Sequence, residues 1–214
     1  FVSWYSSTVK YFTFSLIIES CSSVPNSYDW REHNVVNPIK NQGQCGSCWA
    51  FSTITSSESG YAIKTGTLLT FSEQNLIDCA SNCNGCNGGW PHNACTYILE
   101  TQKGHFMSEL DYPYTGVAGS CLCDEAKAVG EITQRLKVEF NDENDLKVKV
   151  ALYGVASVCI SAGNSQFMSY AGGILDDTLC NKIILDHAVA IVGYGSENGV
   201  DYWIVRNSWG ADWG

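Results

Sequence analysis

Cys45-Gly-Ser-Cys48 and Cys83-Asn-Gly-Cys86 are both Cys-x-x-Cys pairs, with residues 49–82 between them. Thiols at that spacing can do three kinds of chemistry. Four thiolates can hold a structural zinc ion. One pair can cycle between dithiol and disulfide, its first cysteine attacking. Or a pair can divide its work, with Cys45 bridged and Cys48 a nucleophile at the start of a helix. The zinc arrangement ignores Cys79 and six further cysteines across an unusually long gap. The redox arrangement expects a preceding parallel strand in a βαβ unit, which residues 38–44 do not supply. The divided pair also gives work to Gln42, His187 and Asn207, because a thiol nucleophile needs a base, a group that orients the base, and donors for a developing oxyanion.

A hairpin would bring two of these residues together. Gly193-Tyr-Gly-Ser-Glu-Asn-Gly199 reads as a loop between two β-rich runs. If that loop is symmetric about Glu197, His187 lies opposite Asn207 and can hydrogen-bond across the strands, which would fix the imidazole's tautomer. Taken singly, each residue has a plainer reading. A lone cysteine is usually inert packing, a lone His or Asn is usually structural or solvated, and Gln42 before Gly43 is a turn residue. That plainer reading is kept for His33, His92 and His105.

The elements that must position these groups divide the chain in two. Helices are expected over 48–64, with Ala50, Ile54 and Tyr61 on one face and Gly66 as the stop; from the Ser72 cap through Asp78; from Pro91 to Gly104; and over 144–153. Strands are expected over 157–160, 187–193 and 201–207. A helical front and a sheet-rich back predict an α+β protein with a cleft between two lobes.

Bulk properties narrow the function classes. The chain has 214 residues, 45% of them hydrophobic, enough to bury a sizeable core. A net charge of −10 argues against sequence-independent nucleic-acid binding. Eleven cysteines point to an oxidising compartment and a disulfide-stapled fold, with an odd thiol left over. Globular patterning starts near Val24. In residues 1–23 the apolar run Tyr11 to Ile18 is far too short to span a bilayer, and Ser20-Cys-Ser-Ser23 is a weak cleavage site. The segment is read as a pro-segment or signal remnant, or as sequence foreign to the mature protein.

Gln42-Gly-Gln-Cys-Gly-Ser-Cys48-Trp-Ala-Phe-Ser52 resembles the nucleophile motif of the papain-like cysteine proteases, the cathepsin L-like members included. Gly85-Cys-Asn-Gly-Gly-Trp-Pro91, Asp186-His187-Ala188 and Asn207-Ser-Trp-Gly210 match the same family, as do Asp29-Trp30 and Tyr112-Pro-Tyr114. The resemblance covers residues 24–214. It implies a papain-like two-lobed α+β fold, with a helical lobe over about 33–135 and an antiparallel β-barrel lobe over about 136–214. It implies a catalytic set of Cys48, His187, Asn207 and Gln42, the Gln42 side chain and the Cys48 backbone N–H forming the oxyanion hole. Trp209 would shield the His187–Asn207 bond. Gly46, Gly88 and Gly89 would face the substrate backbone, and the S2 wall would be Trp90, Pro91, Cys159, Asp186 and Ala188, with Asp186 contributing backbone rather than charge.

Family-like disulfides would be Cys45–Cys86 and Cys79–Cys121. A further bridge between Cys83 and Cys123 is expected because each sits near a member of the second; Cys95 and Cys159 are expected as buried thiols. No cofactor and no metal are implied. The implied partners are polypeptide substrates and cystatin-like or pro-region inhibitors, with no nucleic acid and no membrane, for a monomer in a lysosome-like compartment or secreted. Exopeptidase members carry an insertion that blocks one end of the cleft, for which the short stretch between Pro91 and Tyr112 has no room, so internal cleavage is expected. Two other classes stay open: a catalytically silent papain-like binding protein and a zinc-binding module. Residues 1–23 are too few for the family's pro-region, and the family's sequence runs on past the position of Gly214 to a partner for Cys180. On this reading the chain is expected to be a fragment, its β lobe incomplete and its own activity in doubt.

Overall fold

The computed structural model describes residues 24–176, 180 and 183–214. The expectation for residues 1–23 lies outside the described residues. Among the described residues, five α-helices follow in chain order: α1 Cys48–Thr65, α2 Glu73–Cys79, α3 Pro91–Glu100, α4 Glu143–Tyr153 and α5 Ser165–Met168. The strands are β1 Tyr28–Asp29, β2 His105–Phe106, β3 Gly130–Glu131, β4 Ala156–Ile160, β5 His187–Glu197 and β6 Val200–Arg206. Most of the helices lie in the first half of the chain and the longer strands in the second, an α+β arrangement.

Local signals explain most boundaries. Ser72 and Asp142 accept from the amides of Asn75 and Asp145, capping α2 and α4. Pro91 opens α3, where its missing N–H costs nothing. That helix stops at Glu100 rather than running to Gly104. Lys103 and Gly104 both take positive φ as the chain turns back, and the Gly104 amide returns to the Ile98 carbonyl. A Cβ at Gly104 would lie 2.0 Å from the Ile132 carbonyl oxygen, so the turn admits no side chain there.

Two cores form. One packs α1, α2 and α3 around Trp49, Ile54, Phe71, Leu76 and Ile98. The other packs β4, β5 and α4 around Val150, Val158, Val189, Ile191 and Trp30. α1 runs between them: Ala50 and Ile54 enter the first core, Ala62 the second, and Ser52 Oγ donates to the Val189 carbonyl of β5 at 2.7 Å. β5 pairs antiparallel with β4 and β1 along one edge and with β6 along the other.

The β5–β6 hairpin corrects the expected register. Asn198 and Gly199 take φ of 52° and 81°, the positive values of a two-residue primed turn, so Glu197 pairs with Val200. A register shift between Ile191 and Gly193 then sets Ala190 against Arg206. Extended one residue, that register would place Asn207 against Val189. His187 is therefore its diagonal neighbour rather than its direct partner, still within reach of a side chain.

Disulfides join Cys45 to Cys86 and Cys79 to Cys121. Cys83 and Cys123 are unbridged, against the expectation. Cys83 Sγ lies by the Trp90 carbonyl at the head of α3, whereas Cys123 Sγ accepts from Gln102 beyond its end. A ten-residue helix, about 15 Å long, lies between those positions. Cys95 is buried, but Cys159 is only half-buried.

Candidate active site

Cys48 is the first residue of α1, and the segment before it is pinned at almost every position. The Gly46 amide donates to the Cys86 carbonyl at 2.9 Å, and a Cβ on Gly46 would come within 2.6 Å of that oxygen. Trp49 Nε1 donates to the Gly85 carbonyl, while the Trp49 ring lies where a Cβ on Gly89 would fall. Gly88 has a φ of 107° with open space around it, so its conformation rather than crowding calls for glycine. Trp90 is half-exposed at the head of α3, and Pro91 is buried behind it.

Burial pushes the Cys48 thiol up, while hydrogen bonds from the backbone of Ala188, Trp49 and Cys48 itself pull it down. The Ala188 interaction places the sulfur beside β5, one residue from His187. Cys159 is the cross-strand partner of Ala188, and burial raises its thiol to about 12. Asp186 precedes His187. Its carboxylate is taken up by the amides of Ala162 and Gly163, at 2.7 and 3.1 Å.

His187 opens β5 and is buried. Its Nε2 lies 2.7 Å from Asn207 Oδ1, which also accepts from the Ser208 amide at 2.8 Å. An oxygen that receives one N–H can only receive the second, so Nε2 carries the proton and Nδ1 is left to face other chemistry. Burial pushes the imidazole down, opposed by the Asn207 hydrogen bond and the Asp186 charge. The Trp209 ring packs at 4.8 Å from the imidazole, and Phe167 stands against both rings.

Gln42 is buried and held from several sides. Its amide donates to the Ser208 carbonyl, its Oε1 accepts from Ser208 Oγ at 2.7 Å, and its Nε2 donates to the Cys45 carbonyl at 3.0 Å. One hydrogen of Nε2 is left over. Ser208 thus connects Asn207, which is bonded to the imidazole, to Gln42. Sequence reasoning passed over Ser208, although it stands inside the Asn207-Ser-Trp-Gly210 motif. It also passed over Arg206, whose buried guanidinium donates to Thr55 Oγ1 of α1 and to the Pro38 carbonyl. The structure therefore brings Cys48, His187, Asn207, Gln42, Trp209, Ala188 and Cys159 into one constellation. Trp90 and Pro91 stand on the helical lobe. A cavity of about 390 Å³ lies elsewhere, between the later turns of α1, residues 131–138 and the end of α4, and holds none of the residues proposed for chemistry. Zinc held by both Cys-x-x-Cys pairs is not available, because Cys45 and Cys86 are bonded to each other.

A family model described as "Papain family cysteine protease" matches residues 24–214. Cathepsin L of Sarcophaga peregrina is 44% identical over 195 residues, covering 90% of this chain and 57% of its own length. Pro-cathepsin H of Mus musculus is 45% identical over 195 residues, covering 89% of this chain and 58% of its own length. The chain thus spans a little over half the length of these relatives. Among solved structures, the digestive procathepsin L2 proteinase from Tenebrio molitor larval midgut superposes with a TM-score of 0.86 at 42% identity, covering 92% of this chain and 62% of that one.

Proposed function

This chain belongs to the papain family of cysteine proteases, and we propose that it forms the catalytic part of a cysteine endopeptidase with Cys48 as nucleophile and His187 as base. The observation that carries the reading is the 2.7 Å bond from His187 Nε2 to Asn207 Oδ1. It leaves Nδ1 as the nitrogen that can exchange a proton with the thiol, while the sulfur sits beside Ala188. Burial alone favours a neutral thiol and a neutral imidazole. The charged pair gains from mutual attraction, from the positive end of α1, and from the amides around sulfur.

In the reaction, the Cys48 proton passes to Nδ1 of His187 and the thiolate adds to the scissile carbonyl. The oxyanion is received by the Cys48 N–H and the remaining Nε2 hydrogen of Gln42. The C–N bond breaks as the imidazolium gives its proton to the leaving amine, forming a thioester acyl-enzyme. Water, deprotonated by His187, then hydrolyses the thioester and restores the thiol. Asn207 keeps the imidazole in one tautomer throughout, as a carboxylate does in serine enzymes.

An apolar side chain two positions before the scissile bond fits the proposed S2 wall, because Asp186 spends its carboxylate on backbone amides and the other members, Ala188, Cys159, Trp90 and Pro91, carry no charge. Polypeptides are the proposed substrates, and a pro-region or a cystatin-like protein the proposed inhibitors. Relatives named as cathepsins and as a KDEL-tailed endopeptidase support a lysosome-like or secretory route. The test is peptide mapping after brief iodoacetamide or epoxide treatment at mildly acidic pH, followed by cleavage of a peptide library. Cys48 should be labelled first, and cleavage should be internal after a Leu, Val or Phe at that position. Labelling spread evenly over the thiols, a preference for Arg, or removal of C-terminal dipeptides would contradict the reading.

A further inference from the structure

Tyr114 has no part in the mechanism above, yet its hydroxyl touches both arms of the proposed oxyanion hole. Its Oη lies 2.6 Å from the Gln42 carbonyl and 3.1 Å from Ser47 Oγ. A carbonyl can only accept, and a phenol has one hydrogen, so Tyr114 donates to Gln42 and receives from Ser47. Gln42 carries the side-chain donor, and Ser47 is the residue before the Cys48 N–H. The Gln42 amide, Oε1 and Nε2 are already fixed by Ser208 and Cys45. Its carbonyl is fixed by Tyr114. The ring is itself held edge-on to Phe51 at 5.0 Å, and the Tyr114 amide donates to Glu109.

We propose that Tyr114 is a positioning residue for the oxyanion hole, acting chiefly by holding Gln42 in the orientation that aims its free Nε2 hydrogen at the substrate carbonyl. The inference rests on the peptidase reading. Donors that stabilise a developing charge must be placed before the reaction, since reorganising them during it forfeits their advantage. Two of the three residues involved, Gln42 and Ser47, are buried, so water does not readily replace the phenol.

The test is Tyr114→Phe, which removes one oxygen and leaves the ring on Phe51. Deleting a whole oxyanion donor costs about 10²–10³ in kcat, so a loosened donor should cost about tenfold, with KM nearly unchanged. Alkylation of Cys48 by iodoacetamide passes through no oxyanion and should keep its rate and pH profile. In a Gln42→Ala background the same change should cost no more than about twofold. Melting and far-UV circular dichroism check that the variant is folded. Unchanged hydrolysis, equal losses in hydrolysis and alkylation, or a full loss persisting without Gln42 would each overturn the inference. Wild-type turnover and selective alkylation report on the peptidase reading; the variant-to-wild-type ratio reports on Tyr114.

Discussion

The proposed nucleophile side of the site and the proposed base side are built to opposite plans. Residues 42–49 are fastened many times over: Gln42 by Ser208, Cys45 and Tyr114, Cys45 by its disulfide, Gly46 by the Cys86 carbonyl, and Trp49 by Gly85 and the Gly89 backbone. Among the described residues, His187 has one side-chain hydrogen bond, to Asn207, and a cover of aromatic rings. Redundant fastening spreads the consequence of any one lesion, whereas a single bond concentrates it. The papain-like site should therefore be brittle at its base and tolerant around its thiol.

The sharpest way to break that comparison is to cut each side once. Cys48→Ser or His187→Ala removes the reacting atoms and should lower kcat/KM by on the order of 10⁴-fold or more. Asn207→Ala leaves every reacting atom in place. It should still cost about a hundredfold, carried by kcat, because it frees the imidazole to rotate. Steady-state kinetics on folded variants decide this, and an effect of Asn207→Ala confined to KM would show that the bond does not orient the base.

Removing Cys45 and Cys86 together tests the tolerant side. Their bridge closes a loop between residues 41 apart, and its loss should cost about 2–4 kcal/mol, or roughly 5–15 °C in melting temperature for a domain of this size. Well below the melting point the double Ala variant should keep most of its turnover, since the Gly46–Cys86 backbone bond and the Trp49–Gly85 contact remain. A loss of kcat as large as that of Asn207→Ala would remove the distinction between the two sides.

The same division decides what the sequence discloses. The nucleophile side is written in consecutive residues: the motif around Cys48, the Ser72 cap and Pro91 at a helix start all act over a few positions, and each stands where its local chemistry puts it. The base side depends on register. The symmetric loop about Glu197 was the wrong centre, although Asn198-Gly199 is a strong primed-turn signal, and a further shift between Ile191 and Gly193 moves the register again. Pairing Cys83 with Cys123 failed for a related reason. Both lie near members of one bridge in sequence, but α3 separates their thiols in space. Cys159 was expected both in the S2 wall, by resemblance, and as a buried thiol; it lies half-buried opposite Ala188.

Buried charge was the least legible feature of all, and it supplies the smallest and most conditional prediction. Sequence reasoning passed over Glu58 in mid-helix and Glu73 in the first turn of α2, and both are almost fully buried. Lys40 Nζ lies 2.8 Å from Glu73, 3.8 Å from Glu58 and 3.9 Å from Glu109, so one ammonium faces three carboxylates, with the Arg206 guanidinium as a second positive charge nearby. Burial raises Glu73 from its ordinary 4.5 to about 8, and Lys40 offsets only part of that. The folded chain therefore holds a proton that the unfolded chain gives up between those two values. The resulting stabilisation is complete below about pH 4.5 and is lost as pH rises through about 8. Glu73→Gln fixes the side chain in a neutral form. The wild-type melting temperature should decline from pH 5 to pH 9 by a few degrees more than that of the variant. The two should converge at the acidic end, where Glu73 is protonated in either state. Because this cluster sits behind α1 on the multiply fastened side, the fall in stability should precede any change in Cys48 alkylation below the melting point. Parallel melting curves across the range would show that Glu73 is ionised in the folded protein and that Lys40, at 2.8 Å, outweighs burial.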